Sequence, residues 1–303
     1  MTFGESVWFG SLTPPSSRGR ALPPHLWTWV GGLAIPLWAT WPALALETGE
    51  VPPLECLTMA FAVAALVLSR VEPRDVEASA ETFSWRRWIP ALAFAVGSSG
   101  SAVFFLLATH YIAAARANLI LYLWPIMVVA LGSALGVFRL GLRHALGIAL
   151  GFTGAAILMG GGNSSLSYVG IALALLGGVS WALYCVFRLT WRGPAGPLLA
   201  PGYAIAAVLC GALHVTLEPF AVPSIRSAAA MGIIGIVPAG FANFAWDQGF
   251  RRGDARLLAV MAYATPLCST LLLALLGLES LTGAVLIGAV CIGVAGLLSR
   301  ANA

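Results

Sequence analysis

The chain has 303 residues, of which 59% are apolar and 9% charged, and its formal net charge is +4. A soluble domain carries about 25% charged residues, so this balance cannot coat a globule in water. Apolar stretches of about 20 residues recur along nearly the whole chain, each long enough to cross roughly 30 Å of hydrocarbon as a helix. Backbone groups find no water there and must be satisfied internally, which predicts helices.

The expected fold is an all-α integral membrane protein with ten transmembrane helices. In chain order they fall near 26–46, 54–70, 88–111, 117–137, 144–162, 167–188, 199–217, 229–250, 256–277 and 282–299. A β-barrel would need apolar and polar residues in alternation, and stretches such as Ile148 to Met159 have none. Met1 to Pro24 has no basic region running directly into an apolar core, so it reads as a retained N-terminal segment (1–25) and not as a cleaved signal.

Every basic residue is an arginine. With both termini cytoplasmic, Arg18, Arg20, Arg70, Arg74, Arg86, Arg87, Arg139, Arg143, Arg188, Arg192, Arg251, Arg252, Arg256 and Arg300 lie inside, and only Arg116 and Arg226 outside. Fourteen against two is a strong positive-inside bias, and an even helix number lets both ends share a side. The positive charge therefore reports orientation and implies no nucleic-acid partner.

The two halves echo one another. Tyr122, Pro125 and Gly147 recur as Tyr263, Pro266 and Gly288, all 141 residues on, and Ala114 recurs as Ala255. Trp38 in PLWATWPAL matches Trp181 in VSWALYCVF at an offset of 143. Five helices per half send the second copy into the membrane from the opposite side, so segments 26–162 and 163–303 form inverted repeats. That architecture places a site near the midplane between halves able to open alternately to either side.

The runs WATWPAL, ANLILYLWPIMVVALGSALG and RLLAVMAYATPLCSTLLLALLGLESLTG resemble the drug/metabolite transporter superfamily with its EamA-type repeats. Glu279, Gly283 and Gly288 are similar to the Glu-to-Gly run that leads into the family's last helix, whereas the first half has Phe138 at the position of that acid. The tryptophan-rich first, fourth and sixth helices resemble the YddG group of aromatic amino-acid exporters. The resemblance implies an inner-membrane exporter of aromatic or other apolar amino acids that works by alternating access. Exporters of another metabolite or drug, and a channel-like pore, stand as alternatives.

Asn118, Tyr122, Pro125 and Val129 share one face of the fourth helix, as do Ala259, Tyr263, Pro266 and Thr270 on the ninth. Pro125 and Pro266 each remove a helical hydrogen bond, so these faces either bend for packing or line a cavity and flex there. Trp27, Trp29, Trp85, Trp88 and Trp191 sit at span ends as interfacial anchors, while Trp38, Trp41, Trp124, Trp181 and Tyr184 lie deeper, where they pack or stack a planar solute. Asn243 is placed in the cavity, and Asp247 is either an ion-pair partner of Arg251 or a coupling group. The candidate substrate-binding set is Trp38, Asn118, Tyr122, Trp181, Tyr184, Asn243 and Tyr263.

His110 and His214 fall near outer span ends, and Gly132 with Gly136 and Gly147 with Gly151 have the small-xxx-small spacing of close helix packing. The five cysteines lack metal or disulfide spacing, and no H-E-x-x-H, G-x-S-x-G or in-span acid pair is found. No enzyme activity, cofactor or metal is expected. The partners expected are a small solute and the bilayer, with a monomer as the working unit. Cysteine labelling after residue 47 and after residue 163 is expected to succeed from outside the cell, and labelling of either site only from the cytoplasm would reverse the topology.

Overall fold

The computed structural model describes residues 23–49, 51–71, 85–136, 142, 146–147, 149–151, 153–154, 157, 167–191, 198–253, 258, 261–278 and 280–298. Described residues form helices and no strand. The first expected span is three short helices in series, α1 (Pro24–Gly32), α2 (Ala34–Ala39) and α3 (Trp41–Glu47). Prolines explain the interruptions. Pro36 and Pro42 have no N–H to give the carbonyls of Gly32 and Trp38, and the Thr40 hydroxyl bonds back to the Leu37 carbonyl at 2.7 Å.

Next come α4 (Pro53–Val71), a 3-10 turn (Trp85–Trp88) leading into α5 (Ile89–Thr109), then α6 (Ala114–Leu121) and α7 (Trp124–Ala134). The second half holds α8 (Tyr168–Thr190), α9 (Leu199–Leu217) and α10 (Ile225–Ile234). A π-helical segment (Gly235–Phe241) joins α10 to α11 (Ala242–Arg252). A 3-10 turn (Ala262–Ala264) leads into α12 (Thr265–Leu275), and α13 (Gly283–Leu298) closes the chain. Among the described residues, seven helical stretches are long and apolar enough to cross a membrane, at the positions expected for spans one to four and six to eight. Helices α12 and α13 stand where the ninth and tenth are expected. The fifth, 144–162, lies largely outside the described residues.

Glycine sets the closest helix crossings. A methyl group on Gly249 of α11 would sit 2.4 Å from the Gly31 Cα of α1, so these backbones touch. On α5, one on Gly97 would meet Tyr184 Cβ of α8 at 2.5 Å, and one on Gly100 would meet Ser180 Oγ at 2.2 Å. Gly235 in the π segment approaches the Ala60 carbonyl of α4 in the same way, at 2.4 Å. In a bilayer, helix association relies on such close packing because lipid is as apolar as the side chains. The main core lies among α4, α5, α8 and α9, with Phe61, Phe94, Phe105, Leu57 and Leu68 buried at its centre.

The packing role expected for Gly136 is corrected. Gly136 has φ +72, ends α7, and has nothing within 4 Å of where a methyl group would stand. It turns the chain out of the helix, where only glycine enters the left-handed region without strain. Gly277, 141 residues on, ends α12 with φ +68. The hydrogen bonds repeat as well: Gly136 N donates to the Ser133 carbonyl and Gly277 N to the Ala274 carbonyl, both at 3.0 Å.

Gly249→Val is expected to weaken the α1–α11 crossing by about 1 to 3 kcal/mol through overpacking. Gly232→Ala, in α10 with open space around it, is expected to leave stability unchanged or slightly raised. Thermal unfolding of the detergent-solubilised variants checks both.

Candidate substrate cavity

The helix interruptions meet around one cavity of about 140 Å³. Trp38 and Trp41 reach it from the broken first span, Phe61 from α4 and Phe105 from α5. Trp124 enters from the start of α7 and Trp181 from α8. Its polar groups are Ser98 and Ser101 on α5, Asn118 and Tyr122 around α6, Tyr203 on α9 and Asn243 on α11. Among the described residues, no lining side chain is charged.

Most of these rings are braced by other rings. Trp38 tilts against Trp246 of α11 with centroids 5.1 Å apart. Trp181 is edge-on to Trp124 at 6.5 Å and to Phe94 at 6.1 Å, and tilted against Tyr184 at 5.2 Å. Phe94 is also edge-on to Tyr203 at 5.0 Å, and Tyr203 contacts Phe61 at 5.2 Å. These separations and angles suit aromatic quadrupoles, which favour tilted and edge-to-face pairs.

Polar side chains bond to one another and to backbone carbonyls beside the prolines. Pro125 removes the donor for the Leu121 carbonyl, and that oxygen abuts Gly178 of α8, where a methyl group would stand 2.9 Å from it. Asn118 Nδ2 donates to Ser269 Oγ at 2.7 Å, and the Ser269 hydroxyl donates to the Pro266 carbonyl at 3.0 Å. This buried relay joins α6 in the first half to α12 in the second. On the eighth span, Pro238 lies in a π-helical turn and leaves the carbonyl one turn before it without its helical donor. Asn243 Nδ2 lies 3.0 Å from the Pro238 carbonyl, 3.1 Å from that of Ala239 and 3.0 Å from Tyr203 Oη, so two amide hydrogens serve three acceptors.

Of the seven candidate binding residues, the structure brings Trp38, Asn118, Tyr122, Trp181 and Asn243 to this cavity. Tyr184 does not line it; it packs behind Trp181 and faces a separate groove between α5 and α8. The backbone of Tyr263 lies in the turn whose Ala262 lines the cavity, while its side chain lies outside the described residues, as does that of Pro125. Pro266 is buried at the start of α12. Asp247 accepts from Gln248 Nε2 at 3.3 Å and does not line the cavity. Its expected partner Arg251 has a side chain outside the described residues.

The sequence reading missed Ser98, Ser101, Tyr203, Pro238 and Trp246. The run GSSGSA in α5 and an in-span proline in the eighth helix were the available signals. Of the expected anchors, Trp29 and Trp88 are exposed, and Trp27 carries the Arg252 guanidinium 4.6 Å from its ring centroid. An acid pair does form at the span ends, one member within a span and one just outside. Buried Glu55 on α4 and Glu218 just past α9 both reach His214, at 3.7 and 3.1 Å. Glu218 also caps the N–H groups of Leu54 and Glu55, and Glu55 accepts from Ala221 N at 3.0 Å. These acids stand 163 residues apart, so no local spacing could reveal them. Among the described residues no group of three or more His, Cys, Asp or Glu is arranged to hold a metal.

Long apolar helices broken around an aromatic, uncharged cavity define a multi-pass membrane transporter. The EamA-like transporter family model matches residues 25–160. The chain is 32% identical to the aromatic amino acid exporter YddG of Ancylobacter novellus over 284 residues, covering 90% of this chain and 98% of that one. It is 28% identical to YddG of Salmonella typhimurium over 204 residues, covering 61% and 66%. A solved crystal structure aligns with a TM-score of 0.67 at 30% identity, over 91% of this chain and 98% of the other. The chain belongs to the EamA-like transporter family.

Asn243→Ala is expected to destabilise the protein by about 1 to 3 kcal/mol, because it removes the amide that donates to Tyr203 Oη and to the Pro238 and Ala239 carbonyls. A thermal melt checks this. An unchanged melting temperature would mean that solvent in the cavity replaces the amide.

Proposed function

We propose that the protein exports aromatic or other apolar amino acids across the bacterial inner membrane, by alternating access between the inverted repeats 26–162 and 163–303. Both termini are cytoplasmic, the working unit is a monomer, and no catalytic step is involved. The observation that carries this reading is the convergence of Trp38, Asn118, Tyr122, Trp181 and Asn243 on one uncharged cavity. Rings there stack the solute's apolar part, and neutral donors and acceptors meet the zwitterionic end, which has no net charge to be balanced. Phosphorylated solutes would ask for arginine or lysine instead. The relatives named as aromatic amino acid exporters support the same substrate class.

A cavity of about 140 Å³ is close to the roughly 150 Å³ that holds a benzene ring. One aromatic side chain fits, and a whole amino acid enters as the helices part. Pro125 and Pro266 give the fourth and ninth helices a place to flex, since neither helix has a complete hydrogen-bond ladder there. Asp247 is the candidate coupling group.

Uptake into proteoliposomes of labelled phenylalanine, tryptophan, methionine, threonine and a cationic drug tests the reading. Phenylalanine is expected to saturate and to show counterflow. Trp38→Ala and Trp181→Ala are each expected to lower its uptake about 2- to 13-fold, as follows from a stacking contribution of about 0.5 to 1.5 kcal/mol. Movement of the drug alone would leave only the broader reading of a drug or metabolite exporter, and conduction without counterflow would indicate a pore. A carrier coupled through Asp247 loses its response to an imposed pH gradient in Asp247→Asn.

A further inference from the structure

Tyr184 leads to a second site. Its ring forms part of a groove of about 360 Å³ between α5 and α8, lined by Ile89, Leu92, Ala93, Val96, Leu183 and Phe187. The close approach of Gly97 to Tyr184 Cβ sets the groove floor, and Ser180 supplies a polar atom near its deep end. Leu92, Val96 and Leu183 are about half exposed, so the groove opens sideways to the surrounding hydrocarbon.

Its length and its mouth indicate what fills it. From Ile89 to Gly97 the α5 axis rises about 12 Å, close to the depth of one leaflet in a core of roughly 30 Å. The shallow end adjoins the turn Trp85–Trp88, where Arg86 and Trp88 are exposed. Arg87 follows Arg86 in that turn, and Arg188 follows Phe187, the last groove residue of α8. The groove thus runs from an arginine-bearing interface into the apolar interior. A detergent-like neutral filler would use the apolar wall alone. A phosphate headgroup also uses the Arg86 guanidinium, since arginine attracts anionic lipid within a Debye length of the surface.

We infer that this groove binds one acyl chain of an anionic phospholipid from the arginine-side leaflet, with its phosphate at Arg86. The same lipid bears on transport through one intervening ring. Tyr184 touches the groove on one side and Trp181 of the cavity wall on the other, with centroids 5.2 Å apart. A chain seated in the groove restrains Tyr184 and so holds Trp181 in its cavity position. The effect on transport rests on the carrier reading above, whereas lipid binding does not.

Native mass spectrometry of the full chain, exchanged from detergent into mixed phosphatidylglycerol and phosphatidylcholine, tests binding independently of transport. One phosphatidylglycerol per chain is expected to be retained, at least about tenfold over phosphatidylcholine. Ala93→Phe fills the groove and is expected to abolish retention. Arg86→Gln, at an exposed position where folding is not at risk, is expected to remove the preference while leaving the melting temperature unchanged. Equal retention of both lipids, undiminished retention in Ala93→Phe, or an inter-chain disulfide formed through Leu92→Cys in membranes would overturn the assignment. Faster phenylalanine exchange in phosphatidylglycerol vesicles than in phosphatidylcholine vesicles, with the difference lost in Arg86→Gln, is the expected consequence for transport.

Discussion

A backbone carbonyl in hydrocarbon must find a donor, and this requirement organises the centre of the molecule. Prolines interrupt the ladder in the first, fourth, eighth and ninth spans, and each interruption leaves an acceptor that water would satisfy in a soluble protein. Beside the breaks, side chains donate to neighbouring carbonyls: Ser269 to that of Pro266, and Asn243 to those of Pro238 and Ala239. Polar residues thus stand at the level where the helices are interrupted. Asn243 also lines the cavity, so one residue both stabilises the bent backbone and presents polarity to a solute.

The duplicated framework carries an unequal set of polar groups. Gly136 and Gly277 end their helices with the same left-handed turn, and Tyr122 and Tyr263 stand at corresponding breaks before Pro125 and Pro266. Asn118, however, has Ala259 at the repeat position, which offers no donor. The relay from Asn118 through Ser269 therefore has no counterpart across the pseudo-axis.

Among the described residues, the carboxylates' ion pairs lie at helix ends. Arg226 on α10 pairs with Glu47 on α3 through both carboxylate oxygens, and Glu55, His214 and Glu218 tie α4 to the end of α9. The Glu47–Arg226 pair is largely exposed on its arginine side, so its contribution to stability is small. The glutamates around His214 are nearly buried and hydrogen-bonded to backbone N–H groups, which lowers the cost of taking a carboxylate out of water. Their position fixes the outer frame and leaves the cavity lining neutral.

Sequence by itself determined the class of fold, the breaks in the fourth and ninth helices, and part of the cavity. Length, apolar content and the lack of apolar–polar alternation fix membrane helices, because helices and closed barrels alone satisfy their backbone in lipid, and proline inside a span marks a break. Residues such as Trp38, Asn118 and Asn243 were legible as cavity candidates because tryptophan and amides deep in a span need a reason to be there. Ser98 and Tyr203 gave a weaker signal, since a serine hydroxyl can bond back to its own helix and a tyrosine is at home at many depths in a span. Only tertiary structure decided that Tyr184 turns from the cavity to the groove between α5 and α8. It also decided that Glu55 meets His214 across the bundle and that Gly136 ends a helix instead of packing one. Each of these depends on which face of a helix meets which neighbour, and that is set by side-chain contacts between segments far apart in the chain, which periodicity within one segment does not contain.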